Sequence, residues 1–378
     1  MSETRFTVIG AGHGGKAMAA DLAFRGFSVN LFNRSPERVH EIAMRGEIEI
    51  EREGGASRLG RLALVTSDYE EALDGTDVIM VAIPASGHRD VARLCAPHLQ
   101  DGQTVVLNPG RTGGALEFQQ ILNNENCAAD VIVAEAGTFI FASRSLGPTR
   151  VRIFRRKNAV PLAALPAIRT GHVLEALSEA YPQFIPAPNV LHTSLDNMGA
   201  IFHPALTLLN AGWIERTKGD FQFYIDGVTR STARVLSVLD RERVTIAAAL
   251  GVRARSAVRW LKDAYSAKGD TLYEAIQGNP GYQGIRGPRN LRHRYIFEDV
   301  PFSLVPLASL GKQFGVNTWA IDAMVRLACV VHGTNYYERG RTAEDMGLTG
   351  LRVAEIMRYV QEGQIKPVYN ERNGSNGR

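Results

Sequence analysis

The feature that most constrains this chain is a glycine-rich loop near its N-terminus. The loop, Gly10 to Gly15, follows a short apolar run at 6–9 and precedes helical spacing of alanine and leucine at 16–25. Gly10, Gly12 and Gly15 have the spacing of the dinucleotide fingerprint, in which they permit a tight turn, approach to a pyrophosphate and close helix–strand packing. Because a helix N-terminus attracts phosphate, strand, loop and helix together predict a dinucleotide site.

Short apolar runs continue to alternate with helical spacing through the first half of the chain. This alternation favours a doubly wound parallel sheet, so the predicted fold class is an α/β Rossmann-type sheet domain followed by an all-α C-terminal domain. Further strands are predicted over 28–32, 62–65, 78–82, 104–107, 131–134 and 149–154, and helices over 36–45, 86–99 and 113–123, with a short one after Ser67.

The pattern changes after residue 160. The stretch 160–177 predicts a helix, the proline-containing stretch 181–189 a linker, and the glycine- and proline-rich stretch 269–288 a long loop. Other helices are predicted over 198–211, 224–250, 254–265, 305–314 and 319–332. We therefore predict a Rossmann domain over 1–186, a helical substrate-binding domain over 187–365 and a disordered tail over 366–378.

The composition argues against several classes of protein. A formal charge of +4 over 378 residues, with no basic run interleaved with aromatic residues, gives no reason to expect a nucleic-acid partner. Cys95, Cys127 and Cys329 have neither zinc-site nor disulfide spacing, which favours a reducing compartment and no bound metal. With no apolar run of about 20 residues and no room for a signal peptide before the first strand, we expect a cytoplasmic protein that does not enter membranes.

The end of the second predicted strand indicates which nicotinamide nucleotide binds. An acidic side chain there suits the ribose 2′-OH of NAD, whereas an arginine accommodates the 2′-phosphate of NADP. This chain has Asn33, Arg34 and Ser35 at that place, which predicts NADP, with NAD as the alternative. A solvated basic loop without a ligand is the other interpretation.

Two proline-containing turns follow neighbouring predicted strands. Pro84 comes after the strand at 78–82, and Asn108 comes after the strand at 104–107. Ligands of open parallel sheets bind beyond the carboxyl ends of the strands, so both residues are candidates for contact with the nicotinamide end of the cofactor. Ordinary turns without a ligand explain them equally well.

The second half holds two unusual polar segments. Asn197 and His203 lie two helical turns apart in apolar surroundings, and a histidine in a cleft can donate a proton while a hydride acceptor is reduced. On spacing alone, a buried core histidine is the commoner explanation. The segment 288–301 concentrates arginines and acids, and arginine suits a carboxylate ligand. Asp299 stands where a helix begins, so a helix cap and a site residue are both open interpretations.

Together these residues resemble the octopine/nopaline (opine) dehydrogenase family. The resemblance extends from the glycine loop to about Arg341. Its most specific parts are Asn-x5-His-Pro at 197–204 and Pro-Arg-Asn-x3-Arg-Tyr-x2-Glu-Asp at 288–299, and Asp-Arg-Glu-Arg at 240–243 also resembles the family's helical domain.

The resemblance implies reductive condensation of an amino acid amine with a 2-oxo acid, and a C-terminal domain like that of 6-phosphogluconate dehydrogenase. It implies His203 as the catalytic histidine, Asp299 as its partner, and Arg294 as an arginine that holds a substrate carboxylate. We further expect Asn197 to help Arg294 orient that carboxylate. Several members carry an aspartate where this chain has Asn33 to Ser35, which favours NADPH over NADH here.

Two other functions stay open at this stage. One is a related two-domain NADP-dependent reductase of 2-oxo acids that uses no amine partner. The other is a non-catalytic NADP(H)-binding sensor. The expected partners are small molecules, and a homodimer is the default oligomer.

Overall fold

The computed structural model describes residues 4–51 and 57–364, so the predicted disordered tail at 366–378 lies outside the described residues. Two sheets occupy the first half of the chain. Their strands are β1 (Phe6–Ile9), β2 (Val29–Phe32), β3 (Glu47–Glu51), β4 (Arg58–Arg61), β5 (Leu64–Thr66), β6 (Val78–Val81), β7 (Thr104–Leu107), β8 (Ile132–Ala136), β9 (Phe141–Ser145), β10 (Arg150–Arg156), β11 (Val160–Leu165) and β12 (Phe184–Pro186).

The larger sheet has the order β12-β11-β8-β7-β6-β1-β2-β5 and is parallel except where β11 runs antiparallel to β8. Its central strands β1, β6 and β7 are buried at every residue, as expected for a sheet covered on both faces. The chain returns from β2 and β5 on one side of β1 to β6 on the other, which makes a switch point at the carboxyl end of β1. The glycine loop lies at that point.

The helices of the first half flank this sheet, and those of the second half form the helical body. This arrangement confirms the predicted Rossmann-type sheet followed by helices. The helices are α1 (His13–Phe24), α2 (His40–Arg45), α3 (Tyr69–Leu73), α4 (His88–Cys95), α5 (Gly114–Asn124), α6 (Thr170–Leu177), α7 (Val190–Leu195), α8 (Met198–Leu209), α9 (Ala211–Thr217), α10 (Arg230–Ala249), α11 (Ala257–Tyr265), α12 (Leu272–Gln277), α13 (Arg294–Phe297), α14 (Val305–Gln313), α15 (Trp319–His332), α16 (Tyr336–Arg339) and α17 (Val353–Glu362).

Three predictions about the middle of the chain are wrong. The stretch 160–177 contains β11 before α6, because a strand buried on both faces shows no alternation that separates it from a helix. The stretch 181–189 contains β12, which tolerates proline at the edge of the sheet. The stretch 269–288 contains α12, which begins with a capping box between Thr271 and Glu274.

A second sheet, of order β4-β3-β10-β9, packs on α1 and had not been predicted as a unit. Strand β4 approaches the helix so closely that a Cβ on Gly60 would lie 2.3 Å from the carbonyl oxygen of Ala20. From the helix, the Lys16 ammonium donates to the carbonyl oxygens of Gly147 at 2.7 Å and Pro148 at 3.0 Å. Helix α1 is therefore held between the two sheets.

A buried ion pair joins the segment ahead of α17 to helix α5 of the Rossmann half. Arg341, ahead of α17, is fully buried and donates through Nε to Glu117 of α5 at 2.7 Å and through Nη1 to the Thr112 carbonyl at 2.7 Å. The loop around Thr112 also bonds to the helical side, because Thr112 donates its N–H to Phe302 O and Gly113 donates to Ser194 Oγ. The domain boundary at 186/187 itself stays a prediction.

Replacement of Arg341 tests this ion pair. Arg341→Met should lower the free energy of unfolding by about 3 kcal/mol, because it leaves the buried Glu117 carboxylate with only Arg89 for compensation. Urea unfolding followed by circular dichroism measures the loss. Arg259→Met is the control, since Arg259 pairs with Asp263 on an exposed face of α11 and should leave the midpoint unchanged. Equal midpoints for the two variants would contradict a stabilising role for Arg341.

Candidate active site

The three glycines of the fingerprint meet different surroundings. Gly10 has a φ of +113°, and a Cβ there would lie 2.4 Å from Ile83 Cγ2. A Cβ on Gly15 would lie 1.7 Å from the carbonyl oxygen of Gly10, so helix and strand touch through this residue. Around Gly12, at the start of α1, a Cβ would meet nothing within 4 Å. The fold requires Gly10 and Gly15, and the open face at Gly12 fits a pyrophosphate at the helix N-terminus.

A cavity of about 310 Å³ opens beside this loop and fits the adenosine end of a dinucleotide. Asn33 accepts a hydrogen bond from the Ala11 N–H at 3.0 Å and donates one to the Ser35 carbonyl at 3.0 Å, so its amide ties the glycine loop to the end of β2. The Arg34 guanidinium is mostly exposed and lies 3.2 Å from Asp90. The cavity is lined by Gly10, Asn33, Arg34, Ser35, Arg38 and Pro84, among others.

Asn108 does not line this cavity. Its side chain is buried, its Nδ2 donates to the Val106 carbonyl at 2.8 Å, and its Oδ1 has no hydrogen-bond partner among the described residues. A contact between Asn108 and the nicotinamide therefore stays a prediction.

His203 and Asp299, 96 residues apart in sequence, form a hydrogen-bonded pair. His203 Nδ1 lies 2.8 Å from Asp299 Oδ2, and the His203 ring stacks on Tyr295 with 4.1 Å between centroids. Asp299 is fully buried and makes no helix-capping hydrogen bond, so the cap interpretation does not hold. Because Nδ1 is engaged with the carboxylate, Nε2 is the ring nitrogen available to a ligand.

Arg111 bridges this pair to a second buried carboxylate. Its Nη1 lies 3.1 Å from Asp299 Oδ1 and its Nε 3.2 Å from Glu298 Oε1. Burial opposes ionisation of Asp299, but the charges of Arg111 and His203 together hold the pKa of the Asp299 carboxyl below its usual value. Asp299 is therefore a carboxylate at neutral pH, and it keeps a proton on His203 Nδ1.

A cavity of about 590 Å³ lies between the Rossmann half and the helical half. His203, Asn197 and Arg111 all line it. Its helical wall is aromatic, formed by Phe202, Tyr224, Trp260, Tyr265 and Tyr282. This volume is in the range of small-molecule sites, and the lining combines this aromatic wall with several charged and polar side chains.

The two predicted substrate-binding residues lie in different places. Asn197 is buried at the start of α8, where its Nδ2 donates to Ser303 Oγ at 2.9 Å. The Arg294 side chain is 52% exposed, pairs with Glu298 at 2.9 Å and does not line the 590 Å³ cavity. The structure thus brings Asn197 to the cavity, whereas Arg294 is linked to the site through Glu298, the carboxylate that Arg111 also contacts.

Sequence reasoning missed Arg111 and Glu298 as site residues. Arg111 follows the turn that begins at Asn108, and its φ of +62° is uncommon for a residue with a side chain. An arginine at the carboxyl end of a parallel strand was the available signal. For Glu298 the sequence offered no signal beyond its position next to Asp299.

The Asp-Arg-Glu-Arg segment at 240–243 holds helices together and does not line the cavity. Arg243 is fully buried, with its guanidinium on Asp240 and on the Leu195 carbonyl. Glu242 accepts the N–H groups of Ala320 and Ile321, each at 2.9 Å. This segment fixes the end of α7 and the start of α15.

Comparison with known proteins agrees with this geometry. A family model described as NAD/NADP octopine/nopaline dehydrogenase, alpha-helical domain, matches residues 186–332. A model described as NAD-dependent glycerol-3-phosphate dehydrogenase N-terminus matches residues 5–127. An opine dehydrogenase of Arthrobacter sp. (strain 1C) is 42% identical over 356 residues, covering 94% of this chain and 98% of the relative. The chain belongs to the opine dehydrogenase family.

The predicted resemblance is thereby confirmed, and this opine dehydrogenase family member is an NAD(P)-dependent oxidoreductase. Octopine dehydrogenase with NADH and L-arginine aligns over 94% of this chain and 98% of its own, with a TM-score of 0.79 and 20% identity. Yersinopine dehydrogenase with NADP⁺ aligns over 95% and 98%, with a TM-score of 0.72 and 15% identity. At these identities the two structures show a shared fold.

Within residues 4–51 and 57–364, the family member has no helix with the length and apolar character needed to cross a membrane.

Proposed function

We propose that this enzyme catalyses the NADPH-dependent reductive condensation of an amino acid amine with a 2-oxo acid. The observation that carries the proposal is the buried relay of Arg111, Asp299 and His203, which presents one ring nitrogen to a cavity large enough for two small substrates. The octopine dehydrogenase that shares this fold binds L-arginine in one structure and pyruvate in another, which supports these two substrate classes.

His203 has two tasks in the proposed reaction. While the amine nitrogen bonds to the 2-oxo carbon, Nε2 donates a proton to the oxygen that leaves as water. The ring regains a proton from the amine nitrogen as the imine forms. Its second task is to donate that proton to the imine nitrogen when the imine carbon takes a hydride, which bound NADPH would supply. Asp299 stabilises the charged ring before each proton is given up, and Arg111 keeps Asp299 ionised.

The proposed carboxylate-binding residue is Arg294, and Asn197, on the wall of the 590 Å³ cavity, is the second proposed donor. In this structure Arg294 pairs with Glu298. A substrate carboxylate would therefore replace Glu298 as the partner of the Arg294 guanidinium. Such an exchange keeps the guanidinium paired throughout and offers two parallel hydrogen bonds to the substrate.

A matrix of substrates tests the function. NADPH oxidation at 340 nm should be measured for a panel of 2-oxo acids, each with and without a panel of amino acids. We expect turnover only when both partners are present. Turnover with a 2-oxo acid alone would assign the enzyme to the simple reductases. Nucleotide binding without turnover of any pair would favour an NADP(H) sensor.

The choice of NADPH depends on Arg34. None of Asn33, Arg34 and Ser35 at the end of β2 carries a carboxylate that would repel a 2′-phosphate. The exposed Arg34 lines the 310 Å³ cavity, where it pairs with Asp90. Wild-type enzyme should give a higher kcat/KM with NADPH than with NADH. Arg34→Ala should raise the KM for NADPH by about 10- to 100-fold through loss of a charge-assisted hydrogen bond, and leave the KM for NADH unchanged.

Arg93→Ala is the matched control for Arg34, because Arg93 is an exposed arginine of α4 that pairs with Glu125. It should change neither KM. A wild-type preference for NADH would make the NADPH assignment wrong.

His203→Ala tests the acid–base role. The variant should lose kcat by about 10²- to 10⁴-fold, the usual contribution of one general acid, while NADPH affinity measured by fluorescence titration stays the same. His172→Ala, on the exposed face of α6, is the control and should retain wild-type kcat. An unchanged kcat in His203→Ala would remove this residue from the mechanism.

A further inference from the structure

Lys157 is a cation in the substrate cavity to which the proposed mechanism gives no role. It lies between β10 and β11 and lines the cavity from the Rossmann side, together with Arg111. Its ammonium donates to Thr138 Oγ1 at 2.5 Å. Among the described residues no carboxylate forms an ion pair with it, whereas Arg111 is paired with both Asp299 and Glu298.

The position of Lys157 relates it to one of the two substrates. Its partner Thr138 stands two residues beyond β8, at the carboxyl edge of the sheet, where the nicotinamide and the hydride acceptor meet in folds of this kind. The acceptor carbon comes from the 2-oxo acid. The opposite wall of the cavity is aromatic and leaves room for the amino acid side chain.

We propose that Lys157 binds the carboxylate of the 2-oxo acid and thereby selects 2-oxo acids over neutral carbonyl compounds. The inference rests on the proposed function and adds a second carboxylate anchor to it. Lys157 would hold the 2-oxo acid from the Rossmann side, while Arg294 remains for the carboxylate of the amino acid. Two anchors, one from each half of the chain, would bring the amine nitrogen to the oxo carbon in one orientation.

The surroundings of Lys157 favour an anionic ligand. Burial, and then the nearby charge of Arg111, lower the pKa of Lys157 to about 8, because both disfavour the ammonium form. A bound carboxylate would offset both burial and the charge of Arg111, because its negative charge stabilises the ammonium form of Lys157. Asp196, the acidic residue that lines the same cavity, is paired with Arg255 at 3.0 Å. The other charged or titratable residues lining the cavity with Lys157 are Arg111, His192, His203 and Arg253, besides the tyrosines Tyr224, Tyr265 and Tyr282.

This environment predicts how the KM for the 2-oxo acid depends on pH. Below pH 8 the free enzyme carries the ammonium, and above pH 8 it loses the charge that attracts the carboxylate. The KM for the 2-oxo acid should therefore rise as the pH increases through about 8. The KM should not rise with pH in Lys157→Gln, because a glutamine side chain does not titrate.

Steady-state kinetics of Lys157→Gln and Lys157→Arg test the inference. Pyruvate is varied at saturating NADPH and amino acid, and the amino acid is varied at saturating pyruvate. Lys157→Gln should raise the KM for pyruvate by about 10- to 100-fold, the effect of losing one charge-assisted hydrogen bond, and leave the KM for the amino acid within about threefold. Lys157→Arg should keep the KM for pyruvate close to the wild-type value, because arginine retains the positive charge. The preference for pyruvate over pyruvamide should shrink in Lys157→Gln by the same factor.

Lys262→Gln is the matched control, because Lys262 pairs with Asp270 on the surface of α11 and should keep both KM values. Thermal unfolding of each variant shows whether a change in KM reflects weaker substrate binding or a less stable fold. Condensation that persists in Lys157→Gln with an unchanged KM for pyruvate, or with equal rises for both substrates, overturns the inference and leaves the proposed function intact. If the wild-type enzyme condenses no pair in the matrix, the proposed function fails first and the inference fails with it.

Discussion

The charge on Asp299 depends on Arg111, and most of the candidate site depends on that charge. A carboxylate that is fully excluded from water is unstable unless a cation accompanies it. Arg111 supplies the cation from the loop after β7, whereas Asp299 and His203 come from the helical body. The ionised state of Asp299 is therefore determined by a contact between the two halves of the chain. A Rossmann domain or a helical domain alone would contain only part of this arrangement.

The sequence predicted the Rossmann half well where its signals are local. The glycine spacing and the alternation of strands with helices depend on neighbours in sequence, and β1, β6 and β7 appear where the apolar runs predict them. Prediction failed at β11, whose alanines and leucines suit a buried strand as well as a helix. It also missed β3, where Glu47 to Glu51 alternates charged and apolar residues in the manner of a strand.

The candidate site was predictable only in part. His203, Asp299 and Asn197 came from two motifs, and the structure brings all three together around the larger cavity or its buried wall. Glu298 and Lys157 were not predictable, because each acquires its significance from residues distant in sequence, and Arg111 offered only its place after a parallel strand as a signal. Asn33 shows that sequence patterns can also miss a second role of a predicted residue. Its position was predicted to contact the nucleotide, yet its amide also braces the glycine loop through Ala11, a contact that no local pattern indicates.

The loop around Thr112 belongs to the Rossmann half by sequence but bonds to the helical body. Arg341 holds its carbonyl, Phe302 O accepts its N–H, and the neighbouring Arg111 is fixed to Asp299. In mechanical terms this loop is coupled to the helical body, although β7 before it and α5 after it belong to the Rossmann half. A rotation of the two halves against each other would leave the loop in register with His203, and the bending would fall on the residues that join it to β7 and to α5. The relative orientation of Arg111 and the His203–Asp299 pair would then be the same before and after such a rotation.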